Sequence, residues 1–590
     1  LYGQTAPGGI VNLVSKRPLF DDWHGEVLGQ VQGFTDLNHW RFQAGGDVTG
    51  PVAPGVAIRL VGLLSDGGNQ PDRTSNSRYY LAPSVGFRLG ADTTWTILGQ
   101  YQRDQGGATF QFLPARGSLN QTNGRRMALE NYIGEPDWNQ FDRDQYLIAS
   151  FFEHRFNEHF ALRNNSRYTH LETLYRVVVL AGDTLLACPA APPAAVIPGC
   201  IPGQTIQRRA VQGTGQSDGF ATDTQFEARF NTGAIEHVLL AGIDYFHTDW
   251  EHYRDGVAPA LVLPLLDIFN PTPRGVNGYA TGLTPQIYSE VVSEQTGIYL
   301  QDQISIGNLR VAIGGRQDWA SDDILNPVNN RRFVVDSDAF TWRVGAVYLF
   351  DFGLAPYASY SESFLPLQND PSTNATGQPF LPTTGQQYEI GLRYQPPGQN
   401  IFITLSAYEI TQQNLLTPAP AGTPLCGITN CQVQTGEGRF RGLELEGRAS
   451  LRNGLSIIGT VTKIDAEVTE SNTVVQVGNT LPQVPDWQAS LFVDYRLLNG
   501  PLEGIGLGGG VRYTGDSFGD TANTLLIPSY TQFDLFMRYD VPAGRGLDGL
   551  SFALNARNLF NKQYVATCTA TSACYWGAGR AVTARIQYRF

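Results

Sequence analysis

The sequence predicts an all-β protein, a transmembrane antiparallel β-barrel of about 22 strands. Three observations carry this prediction: apolar and charged residues alternate with period two, short and long connections alternate along the chain, and the composition suits strands and turns. The 590 residues include 65 Gly, 26 Tyr, 31 Phe and 9 Trp, but only 2 Met and 16% charged residues. Aromatic residues favour strands, and Gly serves turns.

A chain of 590 residues ordinarily forms several domains, yet no Ser/Gly-rich or charged linker divides this one. A large closed sheet accommodates such a length without domains. Apolar runs such as residues 177–181 are far shorter than the ~18 residues of a membrane helix. A helical membrane protein is therefore excluded, whereas a barrel is not, because its strands are only half apolar. The net charge of −13 disfavours a nucleic-acid partner.

The alternation is clearest at the end of the chain, in "AVTARIQYRF". One face carries apolar and aromatic side chains and the other carries polar ones; the apolar set is Val582, Ala584, Ile586, Tyr588 and Phe590. The segments "QQYEIGLRY", "WQASLFVDYR", "FDLFMRYD" and "RGLELEGRAS" repeat the pattern. An apolar band that ends in aromatic residues, over a polar interior, is typical of outer-membrane barrels. In "TGIYLQDQIS", Asp302 falls on the apolar face, which a β-bulge or a near-periplasmic position would explain.

The connections predict which ends of the strands face the periplasm. Short turns are predicted at residues 50–55, 90–92, 156–159, 231–235, 307–308, 351–353, 396–400, 452–454, 499–504 and 541–549. Long outer loops are predicted at residues 104–140, 175–216, 250–293, 320–338, 362–382 and 414–438. Short turns belong to the periplasmic side and long loops to the outside. A barrel of this size is expected to have a plugged lumen.

Six cysteines fall in three close pairs, with no His beside them at zinc spacing. We expect three disulfides, Cys188–Cys200, Cys426–Cys431 and Cys568–Cys574, and therefore an oxidising compartment. Counting strands back from Phe590 places each pair in an outer loop. The alternative is a cytosolic protein with free thiols.

Several segments resemble a known family: "QTGIYLQDQ", "TGQQYEIGLRY", "GRFRGLELEG", "NARNLFNKQYVATC" and "CYWGAGRAVTARIQYRF". They are similar to barrel segments of the TonB-dependent outer-membrane siderophore receptors of the ferric-hydroxamate (ferrichrome and ferrioxamine) type. The first stretch, "LYGQTAPGGIVNLVSKRP", resembles the close of that family's plug domain. The resemblance implies that residues 1–18 are the C-terminal end of a plug and residues 19–590 the barrel. The signal peptide, the TonB box and the rest of the plug are expected to precede this chain.

The resemblance implies a function in the bacterial outer membrane and a set of partners. Family members capture an iron(III)–siderophore complex and import it with energy from TonB, ExbB and ExbD, acting through the TonB box. No cofactor, enzymatic activity or directly bound metal is expected. We expect a monomeric barrel surrounded by lipid and lipopolysaccharide. Phages or bacteriocins commonly dock on the outer loops of such receptors.

The resemblance also points to ligand contacts in the outer loops. "GGATFQFLPARGSL" resembles the third outer loop of ferrichrome receptors, and this predicts contacts from Phe110 and Phe112, which share a face by period two. The alternative for both is loop packing or the upper aromatic girdle. In the fourth loop only Tyr175 is available, a departure from the family pattern. In the last loop, Tyr575 and Trp576 could line the pocket or pack on the neighbouring disulfide.

Other functions are weighed against this one. His247, Asp249 and Glu251 alternate and could bind a metal, but the strand register assigns them to an outward, solvated band above the lipid. All eight His lie in the first half of the chain and none is in a nucleophile motif, so an enzyme is not expected. The remaining alternatives are the same fold importing a catecholate or mixed chelate, or a passive pore or adhesin.

Overall fold

A computed structural model describes residue 9 and residues 12–34, 39–107, 111–181, 188, 200–257, 263–273, 275–276, 282–367, 380–418 and 432–590. Nearly all of its regular structure is β-strand. The strands are β1 His24–Phe34, β2 His39–Ala53, β3 Val56–Gly68, β4 Ser75–Leu89, β5 Thr93–Gly106, β6 Gln140–Arg155, β7 Phe160–Leu180, β8 Thr205–Thr232, β9 Ile235–Val257, β10 Leu263–Asp267, β11 Leu283–Ile306, β12 Leu309–Asn326, β13 Arg331–Tyr348, β14 Leu354–Leu365, β15 Thr383–Tyr394, β16 Ile401–Pro418, β17 Gln432–Ser450, β18 Leu455–Glu470, β19 Trp487–Arg496, β20 Ile505–Thr514, β21 Ser517–Phe518, β22 Leu526–Ile527, β23 Tyr530–Asp540, β24 Leu550–Arg557, β25 Val565–Ala570, β26 Ala573–Trp576 and β27 Ala581–Arg589.

The long strands form one closed antiparallel barrel. Each barrel strand pairs with the next along the chain, and β27 pairs with β1, from Arg589 opposite Glu26 to Ala581 opposite Phe34. Over the described residues the barrel has 22 strands; β10 adds a short edge to β8, and β21–β22 and β25–β26 are small separate hairpins. The predicted fold class and strand number are confirmed.

Alternate residues of each strand face lipid and lumen, as the sequence pattern predicts. On β11, Ile298 and Leu300 are about half exposed on the lipid side, whereas Tyr299 between them is 5% exposed on the lumen side. The Tyr299 side chain reaches across the lumen wall, where its hydroxyl donates to Asp223 at 2.7 Å. Among the described residues, no helix is long and apolar enough to cross a membrane.

The short connections lie where the sequence predicts them, but the long ones differ. All ten predicted short turns join successive barrel strands. Several segments predicted as loops are instead strand: β7 continues to Leu180 and β8 begins at Thr205, and residues 320–338 form a β12–β13 hairpin with a four-residue turn at 327–330. These strands rise past the apolar band. Beyond that band apolar residues no longer keep to one face, as at Val177, Val178 and Val179, so the alternation that marks a strand in the sequence is lost.

Asp302, the exception to the alternation, lies in regular strand. The pairings of β11 with β9 and with β12 run through it without a bulge, so the bulge explanation is wrong and the near-periplasmic one is confirmed. Its side chain faces lipid five residues before Gly307 in the turn, and its Oδ2 lies 2.7 Å from His237 Nδ1. The His237 ring stacks on Phe230. A hydrogen-bonded partner offsets much of the cost of a carboxylate on this face.

The segment before β1 runs along the inner wall of the barrel. Lys16 Nζ lies 2.6 Å from Asp47 Oδ2, and Asp47 is also bonded by Arg59. Arg17 places its guanidinium 4.6 Å from the centre of the Phe151 ring, a cation–π contact on the lumen side. The residues just before the barrel are therefore fixed inside it.

Two of the three predicted disulfides are present, Cys188–Cys200 between β7 and β8 and Cys568–Cys574 across β25 and β26. Each bond lies within one outer connection, as predicted by counting strands back from the C-terminal strand. The third predicted pair, Cys426–Cys431, lies outside the described residues.

Candidate functional site

Three outer connections meet at the mouth of the barrel. The β5–β6 connection is tied to the last one, because Leu113 N donates to Cys574 O at 3.0 Å and Cys574 N donates to Leu113 O at 2.9 Å. Ala115 N adds a bond to Thr571 O at 2.7 Å. The β7–β8 hairpin stands beside them. Two connections that are distant in sequence thus form one backbone-bonded unit, on which side chains can be positioned rigidly.

Phe112, Tyr175 and Tyr575 are brought together by this arrangement. The Phe112 and Tyr575 rings meet edge to face with centroids 5.8 Å apart. Phe112 and Tyr175 both pack against a cluster of Val177, Val179 and Val211. Burial raises the pKa of the Tyr175 and Tyr575 hydroxyls, so both remain neutral donors. An aromatic cluster with two neutral hydroxyls suits a bulky, partly polar ligand.

Trp576 takes a different place from its neighbour Tyr575. It packs against two buried clusters, one around Leu113, Met127 and Ile268 and one that contains the Cys568–Cys574 disulfide. Its Nε1 is buried and has no hydrogen-bond partner among the described residues. The packing alternative therefore describes Trp576 in this structure. Phe110 lies outside the described residues, so the prediction for it stands as made.

A buried ion pair holds the β5–β6 connection against β8. Arg208 Nη2 lies 2.6 Å from Glu135 Oε1, and the two side chains are 0% and 2% exposed. Arg208 Nη1 donates to Ile133 O at 2.8 Å, and Gly275 N donates to Glu135 Oε2 at 2.9 Å. The pair thus joins three segments. Sequence inspection did not single out Arg208, because a lone Arg beside Arg209 gives no sign of which one is buried.

The metal alternative gains no support from the geometry. His247, Asp249 and Glu251 share the outward face of β9, opposite Glu294, Val292 and Glu290 of β11. His247 Nδ1 lies 3.3 Å from Glu294 Oε1. Among the described residues, no three His, Cys, Asp or Glu side chains lie close enough together to hold an ion. This face is a polar band above the lipid.

The barrel has 22 strands paired in sequence order, a polar lumen, tight periplasmic turns and an aromatic cluster at its mouth. These features together define a class of outer-membrane receptor. Residues 24–559 match the family model of the TonB dependent receptor-like β-barrel, and the chain belongs to that family. It is a protein of the outer membrane, and its relatives are transport receptors rather than enzymes, as the sequence predicts.

Individual relatives span the whole chain. The chain is 36% identical over 603 residues to the ferrichrome outer membrane transporter/phage receptor of Escherichia coli K12, covering 100% of this chain and 77% of that protein. It is 33% identical over 595 residues to the ferrioxamine B receptor of Salmonella typhimurium LT2, covering 100% and 78%. Among solved structures it resembles the ferric-catecholate import receptor Fiu of E. coli K12, with a TM-score of 0.82 at 21% identity over 100% of this chain and 84% of the other.

Proposed function

We propose that this receptor imports ferric siderophores of the hydroxamate type. The observation that carries the proposal is the full-length similarity to ferrichrome and ferrioxamine receptors at more than 30% identity. The aromatic cluster of Phe112, Tyr175 and Tyr575 supplies a site at the mouth where such a chelate would be captured. Phe110 is proposed as a further contact. Trp576 supports the site by packing beneath it.

Capture and release require different energies. Scavenging of a scarce chelate needs an affinity of about −12 kcal/mol, the value for a nanomolar complex, and such a complex does not release its ligand quickly without external work. TonB, with ExbB and ExbD, is proposed to supply that work through a TonB box. Residues 1–18 are proposed as the end of the plug. The contacts of Lys16 and Arg17 with the lumen wall support a plug that leads directly into β1.

The lipid-facing surface is proposed to contact lipopolysaccharide at its outer edge, around a single monomeric barrel. Arg441 lies on the lipid-facing side of β17 and pairs with Glu409, and Lys463 lies 5.3 Å from the centre of the Trp487 ring. A cation beside an aromatic ring at the headgroup level, as at Lys463, suits an anionic lipid surface.

Uptake of radiolabelled ferric siderophores tests this function. Cells lacking the receptor should lose uptake of at least one ferric hydroxamate and regain it on expression of the complete receptor. Ferric catecholates serve as the matched alternative cargo. Unchanged uptake of every hydroxamate after deletion would refute the proposal, and catecholate uptake alone would reassign the cargo. A closed channel in conductance measurements would exclude the passive pore.

A further inference from the structure

On the upper wall of the barrel, the acidic side chains of four neighbouring strands lie on one face only. Strands β6, β7, β8 and β9 rise above the membrane with continuous pairing, so alternate residues stay on one face. The outward face is acidic and carries Asp142, Asp144, Glu172, Asp249 and Glu251. The opposite face continues the lumen side, which lower down holds the Arg163–Glu227 ion pair.

On that lumen-side face, the outer ends of the four strands carry no acidic residue. Between the cross-strand pair of Leu171 and that of Val179, the lumen-side positions of β6 to β9 hold only apolar, small, uncharged polar or basic side chains. The basic ones are Arg143, Arg209, His252 and Arg254. Arg143 shares the single carboxylate of Asp104 with Arg78, so this neighbouring triad also carries excess positive charge.

Arg254 lies next to the aromatic cluster. Gly213 of β8 is paired with Tyr175 on one side and with Arg254 on the other. A Cβ on Gly213 would lie 2.1 Å from Tyr175 Cε1, so the Tyr175 ring covers Gly213 and extends toward Arg254. The His252 and Tyr175 ring centroids are 6.4 Å apart. Arg254 Nε is buried and has no hydrogen-bond partner among the described residues.

Arg209 lies on the same face, opposite Val179, beside the valine cluster that holds Phe112. Burial and the nearby Arg254 guanidinium lower the pKa of Arg209. The same two causes lower the pKa of His252. Within the described part of the chain, neither Arg209 nor Arg254 forms an ion pair. Two half-buried guanidiniums without a carboxylate are unfavourable, and an anion bound between them would remove that cost.

We propose that the cargo of this receptor is a negatively charged ferric chelate, one with a carboxylate that does not coordinate the iron, and that Arg209 and Arg254 bind this carboxylate beside Tyr175. This inference rests on the proposed siderophore import and narrows its substrate class. A neutral or cationic trihydroxamate would fill the aromatic site but leave both guanidiniums without a partner. Arginine suits the role because its planar fork binds a carboxylate through two hydrogen bonds.

A matched series of chelates tests the charge requirement. Ferrioxamine B carries a terminal ammonium; N-acetylation makes it neutral, and N-succinylation replaces the charge with a carboxylate, all on the same iron core. Binding of each to the complete receptor in detergent is measured by calorimetry. We expect the succinylated form to bind about tenfold or more tightly than the ammonium form, as for one charge-assisted contact. The difference should shrink as salt is raised.

Substitutions test whether the two arginines cause the preference for the succinylated chelate. Arg209→Gln and Arg254→Gln should each reduce the ratio of succinylated to ammonium affinity by about tenfold. Arg176→Gln is the matched control, because Arg176 lies on the outward face at the same height, bonded to Gln212 and Gln140. A heat-dependent shift in electrophoretic migration checks that each variant still forms a folded barrel.

The possible outcomes separate the two proposals. Equal binding of the three chelates, or tightest binding of the ammonium form, would overturn the charge requirement and leave hydroxamate import intact. A ratio that both arginine variants leave unchanged would overturn the assignment to these residues. If the receptor binds none of the three and takes up no other hydroxamate, siderophore import itself fails and the charge proposal fails with it.

Discussion

Glu135→Gln is expected to release the β5–β6 connection from the barrel mouth without unfolding the barrel. Glutamine has nearly the same shape as glutamate, so the change removes a charge and little volume. It leaves the Arg208 guanidinium, 0% exposed, without its carboxylate partner at 2.6 Å. Because Glu135 also accepts from Gly275 N, the substitution acts on three segments at once.

The expected cost of Glu135→Gln follows from the burial of the Arg208–Glu135 ion pair. Breaking a buried ion pair by removing one partner costs about 3–5 kcal/mol, since an uncompensated charge remains in a dry site. At about 1.4 kcal/mol per factor of ten, local opening of this connection should become about two to three and a half orders of magnitude more frequent. The barrel strands should be unaffected, because their hydrogen bonds do not depend on this contact.

Hydrogen exchange on the complete receptor measures this opening. The amides of Met127 and Ile133, which donate to Gly117 O and Gln111 Oε1, report on the connection. Asp323→Asn is the control, because its exposed pair with Arg332 at the β12–β13 tip should be worth under about 1 kcal/mol. The reasoning is refuted if Glu135→Gln leaves protection across residues 111–139 within about threefold of the unmodified receptor.

Three further predictions address the site, the membrane surface and the last loop. Gly213→Val should displace the Tyr175 ring and weaken chelate binding at least tenfold, seen as a raised Kd with unchanged barrel melting. Ile298→Arg should cost about 2–4 kcal/mol in barrel stability, whereas Gln303→Arg on the lumen face should cost little; refolding titrations into lipid compare them. Cys568→Ser should destabilise the β25–β26 hairpin by about 2 kcal/mol, measured as faster amide exchange there; equal exchange would contradict it.

The barrel itself was predictable because lipid and water sort its side chains at every second residue. Ile298 and Leu300 could be assigned to lipid and Tyr299 to the lumen from the sequence alone, and the structure agrees. The upper strands were not predictable in the same way. Above the lipid, apolar residues no longer keep to one face, so a run such as Val177, Val178 and Val179 does not distinguish a strand from a loop.

The candidate site was predictable in part. Phe112, Tyr175 and Tyr575 could be selected because they occupy aromatic positions in three outer connections, and the structure brings them together. The arginines could not be selected. Arg209 and Arg254 are distant in sequence, and only the pairing of β7 with β8 and of β8 with β9 places them on one face beside Tyr175.

The separation of charge on β6 to β9 argues that the upper wall has a function beyond solubility. A chain with a net charge of −13 has acidic residues to spare, and water alone would accept them on either face. Instead the acids lie outside, where Arg176 and Arg208 share their face, and the inner face carries Arg143, Arg209 and Arg254 next to the aromatic cluster, with no acid on these strands. A one-residue shift in register would reverse this distribution, so the continuous pairing fixes it as firmly as it fixes the lipid-facing band below. A positive inner wall above a polar lumen would attract anions to the mouth of the barrel, where Arg209 and Arg254 lie beside Tyr175.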